Sequence, residues 1–167
     1  MSKTNLGYIE TTLNNVAFFG IESRYSRIYN MAFYLNQFLD IKLENTIDFD
    51  SYATKKRVSY PSYIYTSEAD HCTCYLIGNK GENTLFKNYP DIDFWFLAEL
   101  EGGLNDSHFV VLQDKLCNKF SLQEHVFALH EVKPKTLEKF ADFEFDFLDY
   151  KTKLVYQRQQ EERQNRL

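Results

Sequence analysis

Three groupings in this 167-residue chain hold residue types that do chemistry. The first is the carboxylate series Asp91, Asp93, Glu99 and Glu101. Two carboxyls work as acid and base on one bond only when held within about 5–10 Å of each other. On a strand Asp93 and Glu99 share a face, but six residues at about 3.3 Å each separate them by ~20 Å. Glu99 and Glu101 are neighbours on that face; with Gly102 following, they read as solvated strand ends. The second grouping is Cys72 and Cys74, which as alternate strand residues point the same way, together with Leu76. A structural zinc site needs four ligands, and only His71 and Cys117 stand nearby, at unsuitable spacing. The thiols are therefore expected as small buried hydrophobes. His125 and His130 are five apart, on opposite faces if the segment is a strand, and His71 and His108 are isolated. The chain has no H-E-x-x-H and no G-x-S-x-G; Gly78-Asn79-Lys80-Gly81 lacks the spacing and the Ser/Thr of a phosphate loop. No catalytic residue, metal or cofactor is expected.

The third grouping is aromatic. The turn Asn88-Tyr89-Pro90-Asp91 leads into Asp93 and Trp95. Exposed rings beside carboxylates at a sheet end make a recognition patch, so Tyr89, Asp91, Asp93 and Trp95 are candidate protein-binding residues. The competing reading is a proline turn whose aspartate caps backbone amides. A basic–aromatic set, Lys55, Lys56 and Arg57 followed by Tyr60, Tyr63 and Tyr65, has the composition of a single-stranded RNA platform. Its alternative is an edge strand guarded by cations against unwanted pairing.

These residues need elements to hold them. Val16 to Ile21 is a continuous apolar run, the pattern of a strand covered on both faces. Tyr25, Ile28, Met31, Ala32, Leu35, Phe38 and Leu39 recur at helical spacing, with Ser23 as the expected N-cap. Ile41 to Leu43 reads as extended, and residues 48–58 as a loop. Tyr60 to Thr66 is β-prone but contains Pro61, which predicts an edge strand in a hairpin with His71 to Ile77. Ile92 to Glu101 predicts a central strand: Ile92, Phe94, Phe96, Ala98 and Leu100 form one apolar face, and the other is apolar in its middle. A second helix is predicted over Phe109, Leu112 and Leu116, capped by Asp106 or Ser107; Val126 to Leu129 reads as a buried strand. Pro134 opens a helical turn, and the alternation of Phe143, Phe145 and Phe147 with Glu144 and Asp146 predicts a strand. The sum is a single α+β domain over residues 1–150, a mostly antiparallel sheet of five to seven strands with two main helices packed on it. Residues 151–167 form a polar basic tail, helical or disordered.

Composition narrows the function classes. The 28 aromatic residues (15 Phe, 12 Tyr, 1 Trp) supply a large core. The net charge is −5, but Lys151 to Leu167 carries five basic and two acidic residues, leaving −8 for residues 1–150. An acidic body opposes the phosphate neutralisation that drives nucleic-acid binding, so RNA is a disfavoured partner. Three cysteines are too few for a disulfide scaffold, Met1 to Asn15 lacks an apolar signal core, and no run approaches the ~20 apolar residues of a membrane span. A cytoplasmic location is expected.

The order of elements resembles a small bacterial family named for its motif, IPExxxVDY. RYSRIYNMAFYLNQFLDIKL is similar to the family's early helix and Leu/Lys strand, YLIGNKG to its Leu-x-x-Asn-Lys turn, IDFWFL to Val-Asp-Tyr-Phe-Leu, and VFALHEVKPKTL to its closing strand and Pro-x-x-Leu turn. The Ile-Pro-Glu slot falls on Phe86-Lys87-Asn88, so Asp93 alone of the naming motif carries over by identity. The resemblance implies a fold and a compartment rather than a chemistry. The expected function is a non-catalytic protein-interaction or regulatory domain. The alternatives are an RNA-associated protein using the basic–aromatic edge and a small-molecule enzyme whose residues are scattered along the chain.

Overall fold

The computed structural model describes residues 13, 15–81, 83–101, 107–120, 124–137 and 139–167, without the side chains of 107–109, 119 and 127. Among these residues the eight strands are β1 (Val16–Ser23), β2 (Glu44–Asn45), β3 (Phe49–Ser51), β4 (Val58–Tyr60), β5 (Ser62–Ser67), β6 (Cys72–Gly78), β7 (Phe94–Leu100) and β8 (Val126–Val132). Three α-helices are α1 (Ile28–Leu39), α2 (Ser107–Asp114), which runs into a π-helical turn over Lys115–Lys119, and α3 (Phe140–Asn165). Six strands form one sheet in the order β2-β5-β6-β7-β1-β8, every neighbouring pair antiparallel, and β3 and β4 form a separate ribbon. The fold is α+β, with helices packed on the sheet.

Alternation along the central strands builds two apolar layers. Phe19 and Ile21 of β1 and Phe94, Phe96, Ala98 and Leu100 of β7 face Met31, Ala32, Leu35 and Leu39 of α1. Phe18 of β1 and Trp95 and Leu97 of β7 face the other way, toward Phe143, Phe147 and Tyr150 of α3 and Phe49 of the ribbon. The second layer is largely ring on ring: Phe18 meets Phe143 at 5.5 Å, Tyr75 meets Phe147 at 5.1 Å, and Phe86 meets Trp95 edge-on at 5.0 Å. Such edge-on pairs add to the gain from burying the rings themselves. β7 is buried on both sides along nearly its whole length, as a central strand must be.

Several expectations are corrected. Phe143, Phe145 and Phe147 lie on a helix, not a strand. Phe143, Phe147 and Tyr150 recur at four- and three-residue spacing and are buried, while Phe145 points outward. α3 passes through residue 150 without interruption, so of the two forms expected for the basic tail, residues 151–165 take the helical one. Residues 48–58 hold the β3–β4 ribbon, with Phe49 opposite Tyr60 and Ser51 opposite Val58. Pro61 lies between β4 and β5 rather than within a strand, and β5 is second from the edge, with Glu44 and Asn45 of β2 alongside Ile64 and Tyr63. Ser23 does not cap α1. Its hydroxyl donates to the His125 carbonyl and accepts from the Tyr25 amide, and α1 begins only at Ile28. Ile41 to Leu43 is not a strand. The Asn36 side chain holds both backbone polar groups of Leu43, and pairing starts at Glu44. Ile92 precedes β7 and joins the α3-side layer instead of the α1-side face. Asp106 lies outside the described residues, as does the Phe109 side chain.

Candidate interaction surfaces

The turn after β6 and the entry to β7 meet in a closed knot. Asn79 has no exposed surface, and its amide is fully used. Nδ2 donates to the Tyr89 and Ile92 carbonyls at 3.2 and 2.7 Å, and Oδ1 accepts from Trp95 Nε1 at 2.8 Å and the Leu85 amide at 3.1 Å. Its backbone amide donates to the Asp93 carbonyl. Asp93 in turn accepts from the Ser23 amide at 2.8 Å through one oxygen and from Lys80 Nζ at 2.7 Å through the other, and its own amide donates to the Ile21 carbonyl. The knot thus ties the end of β1 to the turn at 78–81. Gly20 lets the layers close: a Cβ there would sit 2.7 Å from Ile92 Cδ1 and 3.3 Å from Trp95 Cζ3.

This geometry revises the first recognition patch. Trp95 is entirely buried and Tyr89 is half-buried with its ring edge-on to the indole, so Trp95 presents nothing to a partner. Both oxygens of Asp93 are engaged, and Asp91 alone of the four is exposed. The other carboxylates are dispersed as well. Glu99 accepts from the Tyr75 hydroxyl at 2.8 Å and from Lys151, whereas Glu101 meets His71 at 3.1 Å. Burial, with the Glu99 carboxylate beside it, holds the Tyr75 phenol well above its ordinary pKa.

The basic–aromatic set is also divided. Lys55, Lys56 and Arg57 are exposed on the loop of the β3–β4 ribbon, but Tyr60 is buried in the α3-side layer. Tyr63 and Tyr65 pack on the α1-side layer, across the sheet. The rings and the cations form no shared platform. Cys72 and Cys74 do face one way, Sγ to Sγ 3.8 Å, with Cys74 buried in the α1-side layer. His125 packs against Tyr25 and Tyr34 while His130 meets Glu22, and among the described residues no three metal-ligating side chains converge. No helix among them is long and apolar enough to cross a membrane.

The surface that sequence reasoning missed lies on α3. At 1.5 Å per residue its 26 residues span about 39 Å. Phe143, Phe147, Tyr150 and, in part, Leu154 hold it to the sheet. On its far side Phe145 is 65% exposed, Leu148 43%, Val155 58% and Tyr156 63%. Isolated exposed apolar residues are ordinary, but a run of them along one helical stripe marks a contact surface. The signal was present as the 145, 148, 152, 155 spacing. It was hidden because Phe145 alternates with its neighbours as a strand residue would. Compared with known proteins, the chain matches no family model and no curated sequence.

Proposed function

We propose that this chain is a non-catalytic protein-interaction or regulatory domain whose docking surface is the outward stripe of α3. The observation that carries the reading is the exposure of Phe145, Leu148, Val155 and Tyr156 along one side of a helix whose other side is locked into the core. Keeping such rings in water is unfavourable by about 25 cal/mol per Å² of apolar surface, and a partner that covers them recovers that free energy. The polar groups that sequence reasoning singled out for chemistry support the same reading. Asp93, Glu99 and Asn79 are bonded within the fold rather than aimed into a common cleft.

A photoreactive phenylalanine in place of Phe145 or Val155 tests this, with the same group at exposed Glu68, on the β5–β6 turn, as control. Adducts formed from the two α3 positions, absent from position 68 and suppressed by Leu148→Lys, are expected. Equal yields at all three positions, or none on α3, would overturn the assignment.

A further inference from the structure

The outward stripe of α3 has a spacing and a charge order that specify its occupant. Ala141, Phe145, Leu148, Thr152, Val155 and Gln159 are all exposed and follow one another at alternating intervals of four and three. That is the 3.5-residue period with which one helix packs along another. The first half of the helix carries Asp142, Glu144, Asp146, Asp149 and Lys151, and the second half carries Lys153, Arg158 and Arg163 beside Glu161 and Glu162, with Arg166 at the C-cap. Asp149 is already held by Lys153 at 2.8 Å, whereas Glu144 and Arg158 form no ion pair with each other and flank the same side of the stripe.

We propose that the occupant is a second copy of this chain, its α3 laid antiparallel on the first about a two-fold axis near residue 150. This deepens the docking reading above and rests on it. The apolar part of the stripe runs from Phe145 to Val155, so turning one copy end for end sets Phe145 against Val155 and Leu148 against Thr152, twice by symmetry. The same rotation brings Glu144 of each copy beside Arg158 of the other. A parallel pair would instead bring opposite flanks of the two stripes together, setting Glu144 near Asp149 and Arg158 near Arg163 of the other copy, so the charge order selects the antiparallel arrangement. Two-fold contacts of this self-complementary kind close on themselves and do not grow into filaments. Few apolar side chains meet in such a pair, and Thr152 interrupts them, so a weak association is expected, with a dissociation constant in the micromolar range or weaker.

Sedimentation of the full chain over a concentration series tests the pairing. The expected result is a mass rising from 19.9 kDa toward twice that value. The double variant Phe145→Glu/Val155→Glu is expected to stay monomeric with an unchanged circular dichroism spectrum, since both side chains are exposed. Glu144→Arg alone is expected to weaken the dimer about tenfold, and Glu144→Arg with Arg158→Glu to restore it. A wild-type chain that remains monomeric up to about 1 mM, a dimer that survives the double variant, or a charge swap that restores nothing each overturns the proposal. A monomeric chain that still forms adducts from positions 145 and 155, and none from 68, would end the self-pairing and leave the docking reading standing.

Discussion

The knot around Asn79 and the outward stripe of α3 reverse what their residues suggest. The knot gathers an asparagine, a lysine, two aspartates, a tyrosine and a tryptophan near one sheet end, a composition suited to recognition, yet most of it is turned inward. Each hydrogen-bonding atom of the Asn79 side chain has a partner, both Asp93 oxygens are taken, and the indole is sealed under Gly20. The stripe lies on a helix more than half of whose residues are charged or glutamine, yet large apolar side chains stand open to water along it. Composition therefore does not distinguish a joint from a docking face. What distinguishes them is whether a group's bonding capacity is spent inside the fold.

That contrast breaks first under substitution. Asn79→Ala leaves the Ile92 carbonyl and the Trp95 indole N–H without their partner in the interior. An unsatisfied buried polar group costs about 1–3 kcal/mol, so the expected loss is about 3–5 kcal/mol in urea unfolding. Phe145→Ser, at protein concentrations low enough to keep the chain monomeric, should change the same measurement by no more than about 0.5 kcal/mol, as surface positions do. Equal losses at the two sites would erase the distinction.

A smaller effect is expected where the knot meets β1. Gly20→Ala places a methyl 2.7 Å from Ile92 Cδ1 and 3.1 Å from Ile92 Cγ1. The isoleucine must rotate away, and it is packed, so overpacking of this kind costs about 1–3 kcal/mol. The indole N–H resonance of Trp95 reports the disturbance independently, because the new Cβ also lies 3.3 Å from the ring. An unshifted resonance with unchanged stability would mean that the contact yields freely.

How much of this was legible in the sequence follows from the length of the pattern. β1 and β7 read clearly because buried central strands are runs of apolar residues, and α1 because its stripe spans three turns. The β3–β4 ribbon was missed, since three residues per strand hold too little alternation to see. Phe143 to Phe147 was misread because five residues fit a period of two as well as a helical one. Only the longer window, with Tyr150 and Leu154 continuing the buried face, decides for the helix. The knot was half legible. The residues drew attention, but nothing local says that Asn79 reaches the Tyr89 and Ile92 carbonyls, ten and thirteen residues on. Those contacts exist only once β6 and β7 pair.

The buried face of α3 sharpens the comparison from within one helix, through pH. Burial pushes the Tyr150 phenol up to about 12, the nearby Asp48 carboxylate adds to the shift, and the hydrogen bond with Ser62 works against it. Between its ordinary value near 10 and about 12, the folded chain keeps a proton that the unfolded chain has released. The folded state then binds more protons, so stability contributed by this group is complete below pH 10 and falls as pH rises through that window. Tyr150→Phe removes both the hydrogen bond, about 1 kcal/mol at neutral pH, and this pH dependence. The stability gap between wild type and variant should therefore narrow on going from pH 9 to pH 12. Phe145, on the outward side of the same helix and 65% exposed, serves as the reference: Phe145→Ser removes no titrating group, so it should leave the gap constant across the range. If the two substitutions give parallel curves, the phenol of Tyr150 titrates as though in water, and the separation of α3 into a sealed face and an open one fails at that residue.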